Sequence, residues 1–505
     1  MRDPRAVRHP GRPGADRPGA ATPRVVVIGG GIAGLAAAAC LRDRDVDVVL
    51  LEREHYLGGR VGGWNTTLHD GSTVPMNRGF HAFFRQYYNL RGLLRRVDPE
   101  LTGLGALPEY PLLSANGRLD TFAGLPKSPP WNALGFVARS PTFRWRDVPR
   151  MNLRAAATLA DVRVPESYAR LDHINAADYL RRIGFPEAAR HLAFEVFSRS
   201  FFAPPTDLSA AELALMFHLY FLGSSEGLLF DVATDSFPAA LWEPLRDHLD
   251  QRGVRFRLGT AVESISHEGP REFAVHTADG EAIAADAVVL AADLGSAQRI
   301  VRRSPTPAHR EWRERLGSAR TAPPFLVSRL WLDRPVAEQR HAFLGTSGFG
   351  PVDNISVLDR YERSAARWAR DHGGSVVEVH CYALPADATV DELRPQVLEE
   401  LHRVYPETTG AEVLDERHEL RSDCPLFPPG GFALRPSIPT PEPALVLAGD
   451  HVRVDLPVAL MERAATSGML AANRLLGLWG LRGHDVWSVP VQGRSPALRV
   501  AGRFA

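Results

Sequence analysis

The sequence predicts an α/β protein built around a parallel sheet with helices packed on it. Three short apolar runs, at residues 25–28, 46–51 and 445–448, are typical of buried parallel strands. The first run is followed by a glycine-rich turn and then by an alanine- and leucine-rich stretch that favours a helix. The chain has 505 residues, enough for two or three domains, and its 45% apolar content is that of a globular protein.

The turn after the first strand has the spacing Gly-x-Gly-x-x-Gly, formed by Gly29, Gly31 and Gly34. In such a turn the first glycine permits the bend, the second lets a pyrophosphate approach the backbone, and the third lets helix and strand pack closely. The second strand ends at Glu52, a carboxylate suited to accepting hydrogen bonds from ribose hydroxyls. Together these features predict a dinucleotide site at the N-terminus of the helix.

Two further glycine motifs favour FAD over NAD as the dinucleotide. Gly58 and Gly59 would let the backbone approach a phosphate a second time, with Arg60 as a charged donor. The strand at 445–448 ends in Gly449 and Asp450 and precedes a predicted helix from about residue 458. A carboxylate at that point suits a ribityl chain, and the helix N-terminus would face the polar edge of a flavin. We therefore predict FAD as the cofactor.

Residues 24–88, 259–265 and 445–476 resemble the amine oxidase and phytoene desaturase superfamily of FAD enzymes. The resemblance implies a Rossmann-like FAD-binding domain of the glutathione-reductase or amine-oxidase type. It also implies that Val262 contacts the adenine through its backbone. The family often has Glu-Gly-Ala in its last helix, where this chain has Glu462, Arg463 and Ala464. The cofactor contacts implied are Gly29, Gly31, Gly34, Glu52, Gly58, Gly59, Arg60, Val262, Gly449, Asp450 and Glu462.

These pieces divide the chain into a discontinuous FAD-binding domain and an inserted substrate domain. The FAD-binding domain is assigned to residues 24–95, 235–300 and 440–480, and the substrate domain for a lipophilic ligand to residues 96–234 and 301–439. Residues 1–23 are rich in Arg, Pro and Gly and predict a disordered arm, and residues 481–505 are a C-terminal tail. A cleft between two domains is the usual place for a ligand.

The stretch 77–90 carries five aromatic rings together with Arg78 and His81. The rings recur at the spacing of one helical face and predict an amphipathic helix. Plain packing of this face and a ring-lined slot beside the flavin both remain open. We predict Arg78 and His81 as catalytic, with His81 either a proton acceptor or a hydrogen-bond partner of flavin or backbone. The predicted substrate-tunnel residues are Phe83, Phe84, Tyr87, Phe217 and Phe221.

Residues 78–96, 171–203 and 456–476 are similar to the carotenoid-ring desaturases and methyltransferases of the isorenieratene synthase type. The resemblance implies a carotenoid substrate whose β-ionone end ring becomes aromatic while one methyl group migrates. The alternatives are a linear carotene or squalene-type desaturase or isomerase, an amine or protoporphyrinogen oxidase, and a non-catalytic prenyl-lipid-binding protein of the same fold. The electron acceptor and the number of rings modified stay open.

The composition argues against other classes of protein. Basic and acidic residues balance at 59 each, so a nucleic-acid partner is not expected. The three cysteines are widely spaced, and no metal site is predicted. Residues 25–40 are too short and too rich in glycine to span a membrane, whereas residues 129–147 interleave aromatic and basic side chains as interfacial segments do. We expect a cytoplasmic protein that attaches peripherally to a membrane surface.

Overall fold

The computed structural model describes residues 2–19, 21–107, 109–143, 151–186, 201–269, 272–305 and 310–494. Within them the predicted α/β fold is confirmed, and the elements below are numbered in chain order. The strands are β1 (Val7–His9), β2 (Arg24–Ile28), β3 (Asp47–Leu51), β4 (Gly63–Thr67), β5 (Thr73–Asn77), β6 (Phe83–Phe84), β7 (Leu104–Ala106), β8 (Leu112–Ser114), β9 (Leu119–Asp120), β10 (Phe230–Ala233), β11 (Arg255–Arg257), β12 (Val262–Gly269), β13 (Glu272–Thr277), β14 (Ala282–Ala285), β15 (Ala287–Leu290), β16 (Phe325–Leu332), β17 (Phe343–Phe349), β18 (Val352–Val357), β19 (Ser375–Cys381), β20 (Val413–Arg421), β21 (Leu445–Leu447) and β22 (Val486–Ser488).

The α-helices of the described residues are likewise numbered in chain order. They are α1 (Ile32–Arg42), α2 (Tyr88–Leu94), α3 (Trp131–Arg139), α4 (Leu153–Ala160), α5 (Glu166–Leu171), α6 (Ala176–Ile183), α7 (Ala210–Phe217), α8 (Glu243–Gln251), α9 (Leu294–Arg303), α10 (Arg310–Ser318), α11 (Arg363–His372), α12 (Val390–Val404) and α13 (Leu460–Leu478). Shorter 3₁₀ or π turns lie at Gly59–Val61, His218–Leu222, Pro238–Trp242, Leu358–Arg360 and Pro406–Gly410.

A five-stranded parallel sheet forms the centre of the cofactor half, with the strand order β11-β3-β2-β15-β21. All four pairings are parallel, and they join strands from widely separated parts of the chain. Residues 25–28 and 287–290 are buried throughout, which explains why they read as unbroken apolar runs. Helices α1 and α13 meet so closely that a Cβ on Gly468 would lie 2.1 Å from the Ala33 carbonyl oxygen.

A second, seven-stranded sheet has the order β20-β16-β19-β18-β17-β8-β9 and is antiparallel except where β17 meets β8. Side chains alternate along β19, so Val377, Val379 and Cys381 enter a core shared with α12. The intervening Glu378 and His380 therefore lie on the other face of the sheet. A further core is built mainly from helices α3 to α7, with its own phenylalanine and leucine side chains.

The structure corrects the disordered arm predicted for residues 1–23. Strand β1 pairs antiparallel with β22 of the C-terminal tail, and Asp3 forms an ion pair with Arg494 at 2.7 Å. Gly14 packs so tightly on the tail that a Cβ there would lie 2.5 Å from the Leu481 carbonyl carbon. The low apolar content of this segment did not predict order, because its partner is a strand more than 470 residues away in the chain. Residues 495–505 of the tail lie outside the described part.

The structure also shortens the amphipathic helix predicted from residue 80. Gly79 has φ of +98°, a left-handed conformation that suits glycine and turns the chain. Residues Phe83 and Phe84 then pair with β10 as strand β6, and the helix begins only at Tyr88. The spacing of the rings was helical, but the positive φ at Gly79 and the pairing with β10 replace the first two turns by a bend and a strand.

Candidate active site

The predicted dinucleotide turn has the geometry that its glycines require. Gly29 has φ of +107°, and its N–H donates to the Leu51 carbonyl oxygen at 2.8 Å. A Cβ on Gly34 would lie 1.9 Å from the Gly29 carbonyl oxygen, so helix α1 can approach β2 only with glycine there. Gly31 is the N-cap of α1, and it borders a cavity bounded on the other side by a second turn.

The second turn brings Gly58, Gly59 and Arg60 against the first. The Gly58 N–H donates to the Gly30 carbonyl oxygen at 2.9 Å, and Gly58 and Gly59 have φ of +96° and +59°. These two turns leave backbone uncovered at the cavity, as close approach of a pyrophosphate demands. All three residues line the cavity.

Arg60 and Asp450 form an ion pair across the cavity wall, with 2.5 Å between Nη2 and Oδ1. Burial alone would raise the pKa of the Asp450 carboxyl, but the Arg60 guanidinium outweighs it and the pKa lies below its ordinary value. Asp450 therefore stays ionised. Gly449 before it has φ of +147°, and its N–H donates to the Ser467 hydroxyl oxygen at 2.9 Å, which ties this end of the cavity to α13.

The predicted ribose and adenine contacts line the same cavity. Glu52 accepts hydrogen bonds from the Gly30 N–H at 2.6 Å and from the Glu54 N–H at 2.8 Å. Burial raises the pKa of the Glu52 carboxyl. Val262, at the start of β12, also lines the wall. Of the eleven cofactor contacts implied by the sequence, the cavity wall includes Gly29, Gly31, Glu52, Gly58, Gly59, Arg60, Val262, Gly449 and Asp450.

The cavity has a volume of about 600 Å³ and extends from the glycine turns to a region rich in aromatic rings. Phe80 stacks on Phe343 with 4.4 Å between ring centroids, and Phe84 lies 4.6 Å from Tyr220. Pockets with an apolar, aromatic lining and a few polar groups are typical of sites for lipophilic ligands. The aromatic lining comprises Phe80, Phe84, Tyr87, Tyr110, Phe202, Tyr220, Phe230, Phe325, Phe343 and Tyr382.

Both predicted catalytic residues lie at the cavity. Arg78 forms an ion pair with Asp423 at 2.6 Å. The His81 Nδ1–H donates to the Gly79 carbonyl oxygen at 2.8 Å, which leaves Nε2 as the ring's free lone pair. Burial, together with the nearby His380, Arg60 and Arg78, lowers the pKa of the His81 imidazole to about 4, so the ring is neutral at physiological pH.

Besides Gly34, which packs α1 against β2, four predicted site residues lie away from the cavity wall. Phe83 is fully buried in the core of the cofactor half, beside Phe237. Phe217 and Phe221 belong to the helical core, where Phe221 packs 6.2 Å from Phe136. The π turn at His218–Leu222 breaks the helical spacing from which both positions were predicted. These three are corrected from tunnel residues to core residues.

Glu462 is the fourth, and its role in the structure is to bind another helix. Its two carboxylate oxygens accept hydrogen bonds from the Asn89 N–H at 2.8 Å and the Leu90 N–H at 3.0 Å, in the first turn of α2. Arg463, where the family often has glycine, turns away from the cavity to pair with Glu212 of α7 at 2.9 Å. The side chains of Glu462 and Arg463 therefore connect α13 to α2 and α7 and do not line the cofactor cavity.

Two polar residues of β19 and its end were missed by the sequence analysis. His380 and Tyr382 both line the cavity, and they are linked by 2.7 Å between the His380 Nδ1 and the Tyr382 Oη. The signal was the alternation of apolar and polar residues over 376–382, which marks a strand with one polar face. The sequence does not predict which cavity this polar face borders, because that depends on long-range strand pairing.

Comparisons with known proteins fit this geometry. Residues 32–476 match the family described as flavin containing amine oxidoreductase. The chain belongs to this family. It is 59% identical to the carotenoid phi-ring synthase of Streptomyces griseus over 498 residues, which are 99% of this chain and 96% of that protein. The carotenoid phi-ring synthase of Chlorobaculum tepidum is 28% identical over 93% of this chain and 91% of its own.

A solved structure supports the fold. Putrescine oxidase superimposes with a TM-score of 0.66 at 16% identity, covering 90% of this chain and 99% of that one. Both resemblances found in the sequence, to the FAD oxidoreductase superfamily and to its carotenoid-ring desaturase type, are confirmed. The chain is a flavin-dependent oxidoreductase.

The predicted interfacial segment is partly described. Helix α3 leaves the side chains of Trp131 and Leu134 63% and 49% exposed, beside the exposed Lys127. Residues 144–150, which include the end of that segment, lie outside the described part. Within the described ranges, none of the helices has both the length and the apolar character needed to cross a bilayer.

Proposed function

We propose that the chain is an FAD-dependent oxidoreductase that converts a β-ionone end ring of a carotenoid into an aromatic ring with a methyl shift. The observation that carries the proposal is the 59% identity, over nearly the whole chain, to a protein named a carotenoid phi-ring synthase. The aromatic lining of the cavity supports it, because a carotenoid ring offers almost no polar group for recognition.

The residues of the cavity fit FAD. Gly31 and the Gly58–Gly59 turn would receive the pyrophosphate, because a Cβ on Gly31 or on Gly59 would enter the space between the two turns. Glu52 would accept the ribose hydroxyls, and Asp450, held ionised by Arg60, would accept hydrogen bonds from the ribityl chain. When bound, FAD supplies the hydride acceptor for oxidation of the ring's saturated carbons.

Aromatisation sets a chemical condition on the site. The ring carbon that carries two methyl groups cannot become aromatic, so one methyl must move to the neighbouring carbon, most simply through a carbocation. The faces of Phe80 and Phe84 can stabilise such a cation through their π-electrons. Each double bond formed also releases a proton. The neutral His81 imidazole has a free Nε2 lone pair to accept one, because its Nδ1–H is held by the Gly79 carbonyl.

We propose that the substrate enters from a membrane surface through the region of α3. A stack of rings links this helix to the cavity: Phe136 lies 4.8 Å from Phe122, and Phe122 lies 4.9 Å from Tyr110 on the cavity wall. A carotenoid that comes from lipid gains little hydrophobic free energy on binding, so selection must come from the shape of the cavity and its ring contacts. The location proposed with this route is the cytoplasmic side of a membrane, with peripheral attachment.

Anaerobic spectroscopy tests the proposed function. Mixing the FAD-loaded protein with β-carotene in vesicles is expected to bleach the oxidised flavin, whereas a linear carotene or putrescine leaves it unchanged. Bleaching by the linear carotene alone would replace ring modification by chain desaturation. Bleaching by putrescine alone would replace it by amine oxidation.

A further inference from the structure

We infer that the Tyr382 hydroxyl, backed by His380 and Glu378, accepts a proton that leaves the substrate ring during aromatisation. These three residues are called the Tyr382 relay below. The inference rests on the proposed function, because it needs a ring cation in the cavity. It assigns a proton acceptor different from His81, and the two acceptors can be told apart by experiment.

The relay follows from the alternation of β19. Glu378, His380 and Tyr382 occupy every second position, so all three point to the face of the sheet opposite the core packed on α12. The Glu378 Oε1 lies 2.8 Å from the His380 Nε2, and the His380 Nδ1 lies 2.7 Å from the Tyr382 Oη. Glu378 is fully buried, and both His380 and Tyr382 line the cavity. The three groups thus form a line from the buried sheet to the substrate space.

The charge on Glu378 fixes the direction of these hydrogen bonds. Arg329 donates to the Glu378 Oε2 through Nη2 at 2.7 Å and through Nε at 3.1 Å. Burial would raise the pKa of the Glu378 carboxyl, but Arg329 and the His380 hydrogen bond outweigh it and hold the pKa at about 2. Two hydrogen bonds compete for the His380 Nε2: it can donate to the Glu378 Oε1 at 2.8 Å or accept from the Phe80 N–H at 3.2 Å. We assign the proton to Nε2, because the bond to the anionic carboxylate is the shorter and is charge-assisted.

The tautomer of His380 then orients the tyrosine. With its single proton assigned to Nε2, the His380 imidazole presents a lone pair at Nδ1, and the Tyr382 O–H donates to it. The Asn354 side-chain Nδ2 donates to the Tyr382 oxygen at 3.0 Å and occupies one of its two lone pairs. The second lone pair remains for an acceptor role at the cavity. A phenol oxygen is a weak base by itself, but here it can pass its own proton to His380 as it receives another.

The step conserves atoms and electrons. Once hydride loss and the methyl shift have produced a ring cation, a ring C–H bond breaks and its electron pair forms the last ring double bond. The proton bonds to the Tyr382 oxygen, while the Tyr382 O–H bond breaks and its proton bonds to the His380 Nδ1. The resulting imidazolium lies beside the Glu378 carboxylate, which offsets its charge. After product release, water takes the proton by the reverse path. The step itself consumes no oxidant.

The first experiment compares Tyr382→Phe with Tyr405→Phe. Both substitutions delete one buried phenol hydroxyl, but Tyr405 packs in the core with α12 and its hydroxyl has no hydrogen-bond partner in the described residues. Flavin bleaching is measured anaerobically with β-carotene. The rate of aromatic product formation is measured in a second assay with an added quinone as electron acceptor, because each ring loses four hydrogens and one bound FAD accepts only two. For Tyr382→Phe we expect bleaching within about threefold of wild type and aromatic product about 100-fold slower, since a general base typically contributes 10²- to 10⁴-fold. Tyr405→Phe should match the wild type in both.

The main measurement of the second experiment is made on the wild type and needs no variant that might fail to fold. If the Tyr382 relay works, an exchangeable proton moves from Tyr382 to His380 in the product-forming phase, so the wild type should form aromatic product more slowly in D₂O. Direct abstraction by the His81 lone pair moves only the substrate's carbon-bound hydrogen and gives no solvent isotope effect. His380→Gln removes the Nδ1 acceptor but keeps an amide that can reach Glu378, and it should abolish the isotope effect.

These experiments distinguish a failure of the Tyr382 relay from a failure of the proposed function. A wild type that bleaches with β-carotene, with Tyr382→Phe making aromatic product at the wild-type rate, overturns the Tyr382 relay alone. A Tyr382→Phe protein that loses bleaching and product equally also overturns it, because Tyr382 would then serve substrate binding. A wild type that forms no aromatic product overturns the proposed function first.

Discussion

Gly31→Ala is expected to weaken FAD binding without harming the fold. Gly31 has φ of −73°, which any residue adopts, and a Cβ there would lie 3.9 Å from its nearest heavy atom, the Gly59 Cα. The empty protein therefore has room for the methyl group. That room is the space proposed for the pyrophosphate, and one methyl group forced into a close contact costs about 1–3 kcal/mol. The expected loss is roughly 5- to 150-fold in the Kd for FAD.

Gly34→Ala is the matched control, because the same methyl group is added three residues later. Its Cβ would lie 1.9 Å from the Gly29 carbonyl oxygen, a backbone atom that cannot move without displacing α1 from β2. We expect this variant to lower the melting temperature of the cofactor-free protein. Gly31→Ala should instead leave that temperature near the wild-type value.

Two measurements on the same preparations decide between the variants. Titration of FAD into cofactor-free protein, followed by flavin fluorescence, gives the Kd, and circular dichroism on heating gives the melting temperature without cofactor. Wild-type FAD affinity in Gly31→Ala would refute the placement of the pyrophosphate between the two turns. Equal melting temperatures in Gly34→Ala and the wild type would refute the close packing of helix and strand.

Three further predictions concern charge, pH and membrane contact. Asp450→Asn should weaken FAD binding by roughly 10- to 150-fold in a fluorescence titration, since a hydrogen bond to a charged group contributes about 1.5–3 kcal/mol. An unchanged affinity for FAD would remove Asp450 from the proposed ribityl site. The pKa of His81 falls from 6.5 to about 4 on folding, so the unfolded chain binds more protons between these values and the protein loses stability as the pH drops through that window. The melting temperature of His81→Phe should therefore fall less than that of the wild type between pH 6.5 and pH 4. An identical fall in both proteins would contradict the neutral buried ring. Replacing Trp131 and Leu134 by glutamate should release the protein from sedimenting vesicles, because each apolar side chain buried in the membrane contributes about 1.5–3 kcal/mol to binding. The same change at the exposed Leu434 should leave the protein on the vesicles. Release by the Leu434 change would point to a general charge effect instead.

The part of the site that depends on local sequence was predictable. Gly29, Gly31 and Gly34 form a turn whose conformation is set within six residues, and the strand before it and the acid after it identify its class. Asp450 was recognisable for a similar reason, since it follows the buried strand β21 by three residues and precedes α13 in the chain. Motifs of this kind carry their own geometry.

The substrate half was not predictable in the same way. Phe84 and Phe217 both sit in aromatic stripes, yet the structure brings Phe84 to the cavity and Phe217 to the helical core, and the sequence contains no signal that separates them. His380 reaches the cavity only because β19 pairs with β16 and β18 in the middle of the sheet. The N-terminal arm is ordered for a similar reason, as its partner strand lies at the other end of the chain. Long-range pairing decides these positions.

The most direct test of the account is the pigment made when this chain is expressed in a host that produces β-carotene with both methyl carbons of each gem-dimethyl group labelled by ¹³C. Mass spectrometry and NMR of the extracted carotenoid measure hydrogen loss, carbon number and the position of the label together. We expect a product that has lost four hydrogens for each ring modified, has kept every carbon, and carries its label on methyl groups of two adjacent aromatic carbons. Unchanged β-carotene beside folded, flavin-loaded protein would contradict the account.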